Sequence, residues 1–363
     1  MKAVRIFTHG GPEVIQYDDY DAPGLGEDDV LVKVLATSVS YWDVKYRRGD
    51  LEIMGAKEGL PGRKTFPMPQ QLGREAAGVV EAIGEKVTEF KPGDRVLGLV
   101  HPENPNCLES IRGLSNLSLG VDYPGHVAHG GNAQFISRPQ HHYMKLPDSV
   151  TFDQAAAGAW SFPCSHRVVV DRFGVRPGDT IFVTGTSGGM GNATTQWAKL
   201  AGARVIGVTR KSERIPQIEA IGADLVVDTS NLEEAREKIR EFTFGHGVDH
   251  AVEYTGNSDL QKLCIGVMRL GGNFCPVGGD MCFDPLPLRV IDFTRLELNV
   301  HGIRGARLID QHTYLQQLGM GKISVPVGLT MPLSKIHQAH EMVENSGVVG
   351  KIVLHPWAAD DVD

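Results

Sequence analysis

TIFVTGTSGGMG, running from Thr180 to Gly191, carries the two signals that decide the fold. Its opening, Thr180 to Gly185, is a short apolar run of the kind that makes a strand buried on both faces. Glycines interrupt that run, and beyond them Ala193, Trp197, Leu200 and Ala201 recur at helical spacing. The rhythm repeats in RVIGV (Arg204 to Val208), LVVD (Leu225 to Asp228), VDHAVEYTG (Val248 to Gly256), NFCPVGG (Asn273 to Gly279) and LNVHGI (Leu298 to Ile303). Helix-like segments fall between most of these runs. Apolar strands alternating with helices predict an α/β domain whose parallel sheet is covered on both faces.

Glycines at the strand-to-helix turn let the backbone close tightly and approach a pyrophosphate, whose charge is met by amides at the helix start. A glycine cluster alone also fits a plain tight turn. Here a strand precedes it, a helix follows, and a second strand ends where a dinucleotide site needs it. Enzymes that use NAD usually carry an acidic residue at the end of that second strand, about 20 residues after the glycines, to bind the ribose 2′-hydroxyl. Thr209 stands at that position, and Arg210, Lys211 and Arg214 follow it. A 2′-phosphate needs cationic, forked donors and is repelled by a carboxylate. The pattern predicts NADP(H) rather than NAD(H); the competing reading is a solvated, basic helix start.

Outward from this stretch the chain changes character. DVLVKVLATSV (Asp29 to Val39) and AAGVVEAIG (Ala76 to Gly84) have strand composition, and KPGDRV (Lys91 to Val96) sets a turn before another strand. Pro102 to Asn132 is polar, rich in glycine, asparagine and proline, and reads as a functional loop. A helix is expected over Lys335 to Asn345 and a closing strand over Lys351 to Leu354. A catalytic domain built from residues 1–152 and 297–363 is therefore expected around an inserted nucleotide domain, 153–296. At 363 residues the chain is long enough for two cores. Its net charge of −8 argues against nucleic acid or an anionic membrane as partner. No leader-like or spanning apolar run is seen, and the five cysteines are scattered without a CxxC pair, so a reduced cytoplasmic setting is expected.

GREAAGVVEAIGEKVTEFKPGDRV (Gly73 to Val96), GNAQF (Gly131 to Phe135), GVRPGDTIFVTGTSGGMG (Gly174 to Gly191), MRLGG (Met268 to Gly272) and GKIVL (Gly350 to Leu354) together resemble the medium-chain dehydrogenase/reductase superfamily over nearly the whole chain. The resemblance implies a GroES-like, β-rich catalytic domain, a six-stranded, doubly wound Rossmann domain, a cleft between them and a homodimer or homotetramer. It assigns Gly185, Thr186, Ser187, Gly188, Gly189, Met190 and Gly191 to the phosphate turn. Thr209, Arg210, Lys211 and Arg214 take the adenosine-ribose end. Thr255, Gly256, Val277 and Gly278 lie at later strand ends, Lys351 adds a further contact, and Cys164 falls beside the nicotinamide, more a packed side chain than a nucleophile.

The chain departs from the zinc alcohol dehydrogenases of that superfamily at their metal. Ser40-Tyr41-Trp42-Asp43 stands where the first ligand cysteine would be, Gly73-Arg74-Glu75 replaces Gly-His-Glu, and the third ligand falls near Ala159 or Trp160. Cys107 is the sole cysteine of the segment that would carry a structural zinc. His101, Cys107, His126 and His129 read as polar loop residues rather than ligands. No metal is expected. The resemblance then narrows to the zinc-lacking quinone oxidoreductases and enoyl-thioester reductases, which deliver hydride to an activated alkene (enone, quinone or enoyl thioester). Ser40 and Tyr41 are candidate donors to the substrate carbonyl, and Tyr41 is also a candidate proton source or a packed ring. Arg74 either stabilises the enolate and orients an anionic substrate, or pairs with Glu75. Trp42, Glu75 and Trp160 are candidate pocket residues, although rings such as these more often fill a core. RRGDLE (Arg47 to Glu52) lacks the tyrosine that mitochondrial-type enoyl reductases carry there. The alternatives are a zinc-independent alcohol or carbonyl dehydrogenase, and a non-catalytic cofactor-binding protein.

Overall fold

The computed structural model describes residues 1–50, 67–278, 285–345 and 347–359. Leu51 and Glu52 of RRGDLE, Gly279 of NFCPVGG, and Cys282 lie outside them. Two compact units divide the chain, Met1–Trp160 with Gly305–Asp363, and Ser161–Arg304.

In the first unit, β1 (Lys2–Ile6) pairs antiparallel with β2 (Ile15–Asp19). β3 (Asp29–Val39), with the bounds its composition predicts, is the spine of the larger sheet. Its residues alternate between buried and half-buried before becoming fully buried from Ala36, as a strand does when it runs from a half-covered edge into a core. β4 (Gln70–Gln71) joins β1, and β5 (Glu75–Ile83) pairs with β3. β6 (Arg95–Gly98) follows on β5, β7 (Phe135–Pro139) on β3, and β8 (Tyr143–Lys145) on β6.

The second unit holds β9 (Thr180–Val183), β10 (Arg204–Thr209), β11 (Leu225–Asp228), β12 (Val248–Glu253), β13 (Met268–Pro276) and β14 (Asn299–Val300). They form one parallel sheet in the order β11-β10-β9-β12-β13-β14. All four residues of β9 are buried, as a central strand covered on both faces requires. Strand order reverses at β9, so the crevice for a ligand opens above its carboxyl end, at the glycine turn. The chain then returns to the first unit, where β15 (Val327–Pro332) pairs with β16 (Lys351–His355), and β16 pairs antiparallel with β3.

Both domain borders lie later than the sequence suggests. The helix Phe152–Gly158 packs on β3, β5 and β16, its buried Ala155, Ala156 and Ala157 allowing close approach, so the first unit runs on to Trp160. At the other border β14 pairs with β13, which keeps the chain in the second unit to Arg304 rather than releasing it at 296. Of LNVHGI only Asn299–Val300 is strand.

Candidate active site and cofactor site

The glycine turn is closed by Gly188 N–H donating to the Gly185 oxygen at 2.9 Å, with Gly185 at φ +61°. Gly188 caps the helix Gly189–Leu200 without a side-chain hydrogen bond, which leaves first-turn amides for a ligand. Gly191 cannot be replaced at no cost, because a Cβ there would lie 2.3 Å from the Gly185 oxygen. Thr186 departs from expectation. Its fully buried hydroxyl donates to the Val183 oxygen at 2.9 Å and accepts Val208 N–H at 2.9 Å. The side chain thus braces β9 against β10 instead of reaching a ligand. Met190 offers its carbonyl to the Ser165 hydroxyl at 3.0 Å.

At the end of β10 the Thr209 hydroxyl donates to the Lys211 carbonyl and accepts the Lys211 amide, both at 3.0 Å. This local turn turns Arg210 and Lys211 out to solvent, and among the described residues neither has a carboxylate partner. Arg214 reaches back, its Nη1 donating to Ser187 Oγ at 3.5 Å, so the cationic turn and the phosphate turn meet in space. Two carboxylates stand nearby: Glu213 is exposed within the same turn, and Asp228 is in register with Thr209 on β11, its Oδ1 accepting the Ser230 amide at 2.8 Å and hydroxyl at 2.7 Å.

The ends of β12 and β13 pass so closely that a Cβ on Gly278 would lie 2.3 Å from Gly256 N. Sequence reasoning missed the group that organises this pass. Glu253 is fully buried and accepts the Thr184 hydroxyl at 3.1 Å, the Thr255 amide at 2.6 Å, the Gly256 amide at 2.9 Å and the Thr255 hydroxyl. Its signal was an acidic residue closing the strand directly after the apolar Ala251 and Val252. Thr255 is exposed and Val277 half-buried, while Cys164 is packed inside the unit. A glycine cradle and a helix start on one sheet edge fit the pyrophosphate of a nicotinamide dinucleotide, and a cationic turn lies beside them.

In the first unit Ser40 opens the helix Tyr41–Arg48. Its hydroxyl donates to Asp43 Oδ2 at 2.7 Å and its amide to the same oxygen at 2.8 Å, so the expected donor to substrate is spent on a helix cap. Tyr41 is half-buried, and its hydroxyl has no hydrogen-bond partner among the described residues. Glu75 does not line a pocket. It is fully buried, accepting Lys351 Nζ and the Ser38 hydroxyl on Oε2, each at 2.5 Å, and the Trp160 amide on Oε1 at 3.0 Å. Burial pushes its carboxyl pKa up, and Lys351 opposes that. Lys351 is correspondingly held by Glu75 rather than offered to a cofactor, since a buried ammonium needs its counter-charge.

Because Glu75 is taken, Arg74 does not pair with it. Its guanidinium, on a residue only 4% exposed, donates from Nη1 to the Tyr46 hydroxyl at 2.5 Å and from Nη2 to the Val100 oxygen at 2.7 Å. It also lies 4.2 Å from the centre of the Trp160 ring and 5.4 Å from that of Tyr123. Trp42 stacks on Trp160 at 5.5 Å. Tyr46, His101, Tyr123 and His126 complete this cluster and were not foreseen; the last two come from the polar loop whose length had marked it.

Two family profiles match the chain: "Alcohol dehydrogenase GroES-like domain" over residues 26–148 and "Zinc-binding dehydrogenase" over residues 189–320. The chain belongs to the medium-chain dehydrogenase/reductase superfamily. Members are oxidoreductases that bind a nicotinamide cofactor, and this member has their GroES-like domain and Rossmann sheet. It is 27% identical to quinone oxidoreductase of Homo sapiens, covering 98% of this chain and 97% of the relative. It is 28% identical to an NAD-dependent alcohol dehydrogenase of Sulfurisphaera tokodaii, covering 98% and 100%. A solved structure of an NAD-dependent alcohol dehydrogenase superposes with a TM-score of 0.89 at 29% identity, covering 98% of this chain and 99% of that one.

The profile's description implies zinc, and the residues here do not fit it. The Ser40 hydroxyl serves a cap, Arg74 is itself a cation, and Trp160 offers an indole. Among the described residues no group of three or more histidine, cysteine or acidic side chains is placed to hold a metal ion. Nor is any helix among them long and apolar enough to cross a membrane.

Proposed function

We propose that this protein is an NADPH-dependent reductase of activated alkenes (enones, quinones or enoyl thioesters) that works without a metal. The observation that carries the cofactor choice is the exposed Arg210-Lys211 pair with Arg214 bent back onto Ser187. The amides of Gly188 to Gly191 meet the pyrophosphate, the three basic residues hold the 2′-phosphate, and Thr255, Gly256, Val277 and Gly278 border the nicotinamide end, with Cys164 packed behind. When bound, the reduced nicotinamide supplies hydride. Arg74 provides a fixed positive charge for the acceptor, and Tyr41, with its unengaged hydroxyl, supplies the proton. The likeness to quinone oxidoreductase supports the acceptor class. We further infer a cytoplasmic homodimer or homotetramer with neither nucleic acid nor membrane as partner.

NADPH oxidation with 9,10-phenanthrenequinone, cyclohexenone, crotonyl-CoA and alkyl aldehydes tests the reading. Turnover of at least one of the first three is expected, with a lower KM for NADPH than for NADH. A zinc-independent alcohol or carbonyl dehydrogenase is the second reading, favoured by the likeness to NAD-dependent alcohol dehydrogenases. Turnover confined to aldehydes, with NADH preferred, would establish it instead.

A further inference from the structure

Among the described residues Arg74 is a buried cation without a counter-ion. Guanidinium carries five N–H donors. Two are used, on the Tyr46 hydroxyl and the Val100 oxygen, and Nε has no hydrogen-bond partner. No carboxylate among the described residues pairs with it, and its neighbour Glu75 has both oxygens engaged elsewhere. A second buried guanidinium, Arg138, donates to the His129 carbonyl at 2.9 Å and has no carboxylate partner among the described residues, and burial, with the charge on Arg74, pushes its pKa down. Two uncompensated cations in one interior are expensive, and removing them from water is offset only in part by neutral acceptors.

The rings around Arg74 form a closed circuit. Trp42 stacks on Trp160 (5.5 Å), Trp160 meets His101 (5.1 Å), and His101 meets Tyr123 (6.1 Å). Tyr123 stacks on His126 (6.3 Å), His126 on Tyr46 (5.1 Å), and Tyr46 returns to Trp42 (6.0 Å). The guanidinium touches alternate members of it, Trp160, Tyr123 and Tyr46. Aromatic faces hold a cation in place and leave its charge unneutralised. Of the circuit, Trp42, Tyr123, His126 and Trp160 are half-buried rather than sealed.

We propose that this ring-bound guanidinium is an anion seat, and that it takes a carboxylate carried by the acceptor. A planar, singly charged carboxylate matches the free edge of a guanidinium and can lie flat among the rings. A tetrahedral phosphate carries its oxygens out of one plane and does not lie flat among the rings as a carboxylate does. The proposal deepens the acceptor assignment above, and its test uses neither turnover nor NADPH, so the two can fail separately.

The full chain is titrated with acetate, benzoate and cinnamate at constant ionic strength against chloride, reading tryptophan fluorescence, to which Trp160 beside the guanidinium contributes. Saturable quenching by a carboxylate, but not by inorganic phosphate or by the matching neutral amide, is expected. The Arg74→Met protein should bind at least about tenfold more weakly, as loss of a charge-assisted pair implies, and Arg74→Lys should retain part of the affinity. Should Arg74→Met not fold, Arg74→Lys carries the comparison, read by calorimetry as well as by fluorescence, and is expected to bind the carboxylate more weakly than the wild-type chain. No saturable binding to the wild-type chain overturns the proposal, as does equal binding by amide, by phosphate or by the Arg74 variants.

Discussion

At the scale of single residues, the same side-chain chemistry has been put to different uses by a few ångströms of placement. The Ser40 hydroxyl could hydrogen-bond a substrate on any reading of its residue type, but it is spent on Asp43. Ser40→Ala should therefore lower stability by about 1 kcal/mol, the usual worth of a helix cap, and leave kcat unchanged, whereas Tyr41→Phe should lower kcat. Denaturant unfolding and steady-state rates on the two variants check this together. Cys107 offers a chemical readout. Hydrogen bonds from the Ser110 and Ser118 hydroxyls and the Ser110 amide bring its pKa down to about 7, while burial pushes Cys275 up to about 12 and Cys264 well up. Alkylation by iodoacetamide should thus be confined, among these three, to Cys107, with a rate that rises to half its maximum near pH 7; peptide mapping across pH reads it.

At the scale of elements, the strand–turn–helix unit is over-determined. The Thr186 brace, the Gly185 turn and the missing Cβ of Gly191 all hold the helix start at the sheet edge. Gly191→Ala should abolish cofactor binding, since its methyl must displace the Gly185 carbonyl; calorimetric titration with NADPH would reveal any retained affinity. The cationic turn makes a separable prediction. Arg210→Ala with Lys211→Ala should raise the KM for NADPH by about ten- to a hundredfold, the value of charge-assisted hydrogen bonds, with little effect on NADH. An equal effect on both cofactors would mean that the turn does not read the 2′-phosphate.

For the molecule as a whole, buried histidine sets a pH dependence of stability. His340 is fully buried, both ring nitrogens lacking partners among the described residues, and burial, then the neighbouring Arg47 and His337, lower its pKa to about 3 from the ordinary 6.5. Below pH 6.5 the unfolded chain takes up a proton that the folded chain refuses. Stability from this site is complete above pH 6.5 and is lost as pH falls toward 3, by about 2 kcal/mol between pH 7 and 5. His340→Leu should flatten that part of the profile in urea unfolding. Among the described residues β14 ends the second unit's sheet, and for the homo-oligomer proposed above light scattering at micromolar concentration should give at least a dimer mass.

Local chemistry determined what the sequence could specify alone. Apolar runs that want cover on both faces, a glycine turn that admits no Cβ, and the absence of an acid at Thr209 were legible because each depends on near neighbours in the chain. The parallel sheet and its cofactor edge follow from them. Tertiary structure decided which polar groups were already taken, because hydrogen bonds and ion pairs join residues far apart in sequence. It gave Glu75 to Lys351, turned Thr186 inward, and moved both unit borders through the packing of one alanine-rich helix and one short strand. Left without a carboxylate, Arg74 was gathered into a circuit of six rings drawn from four separate stretches of chain, an arrangement no local pattern encodes.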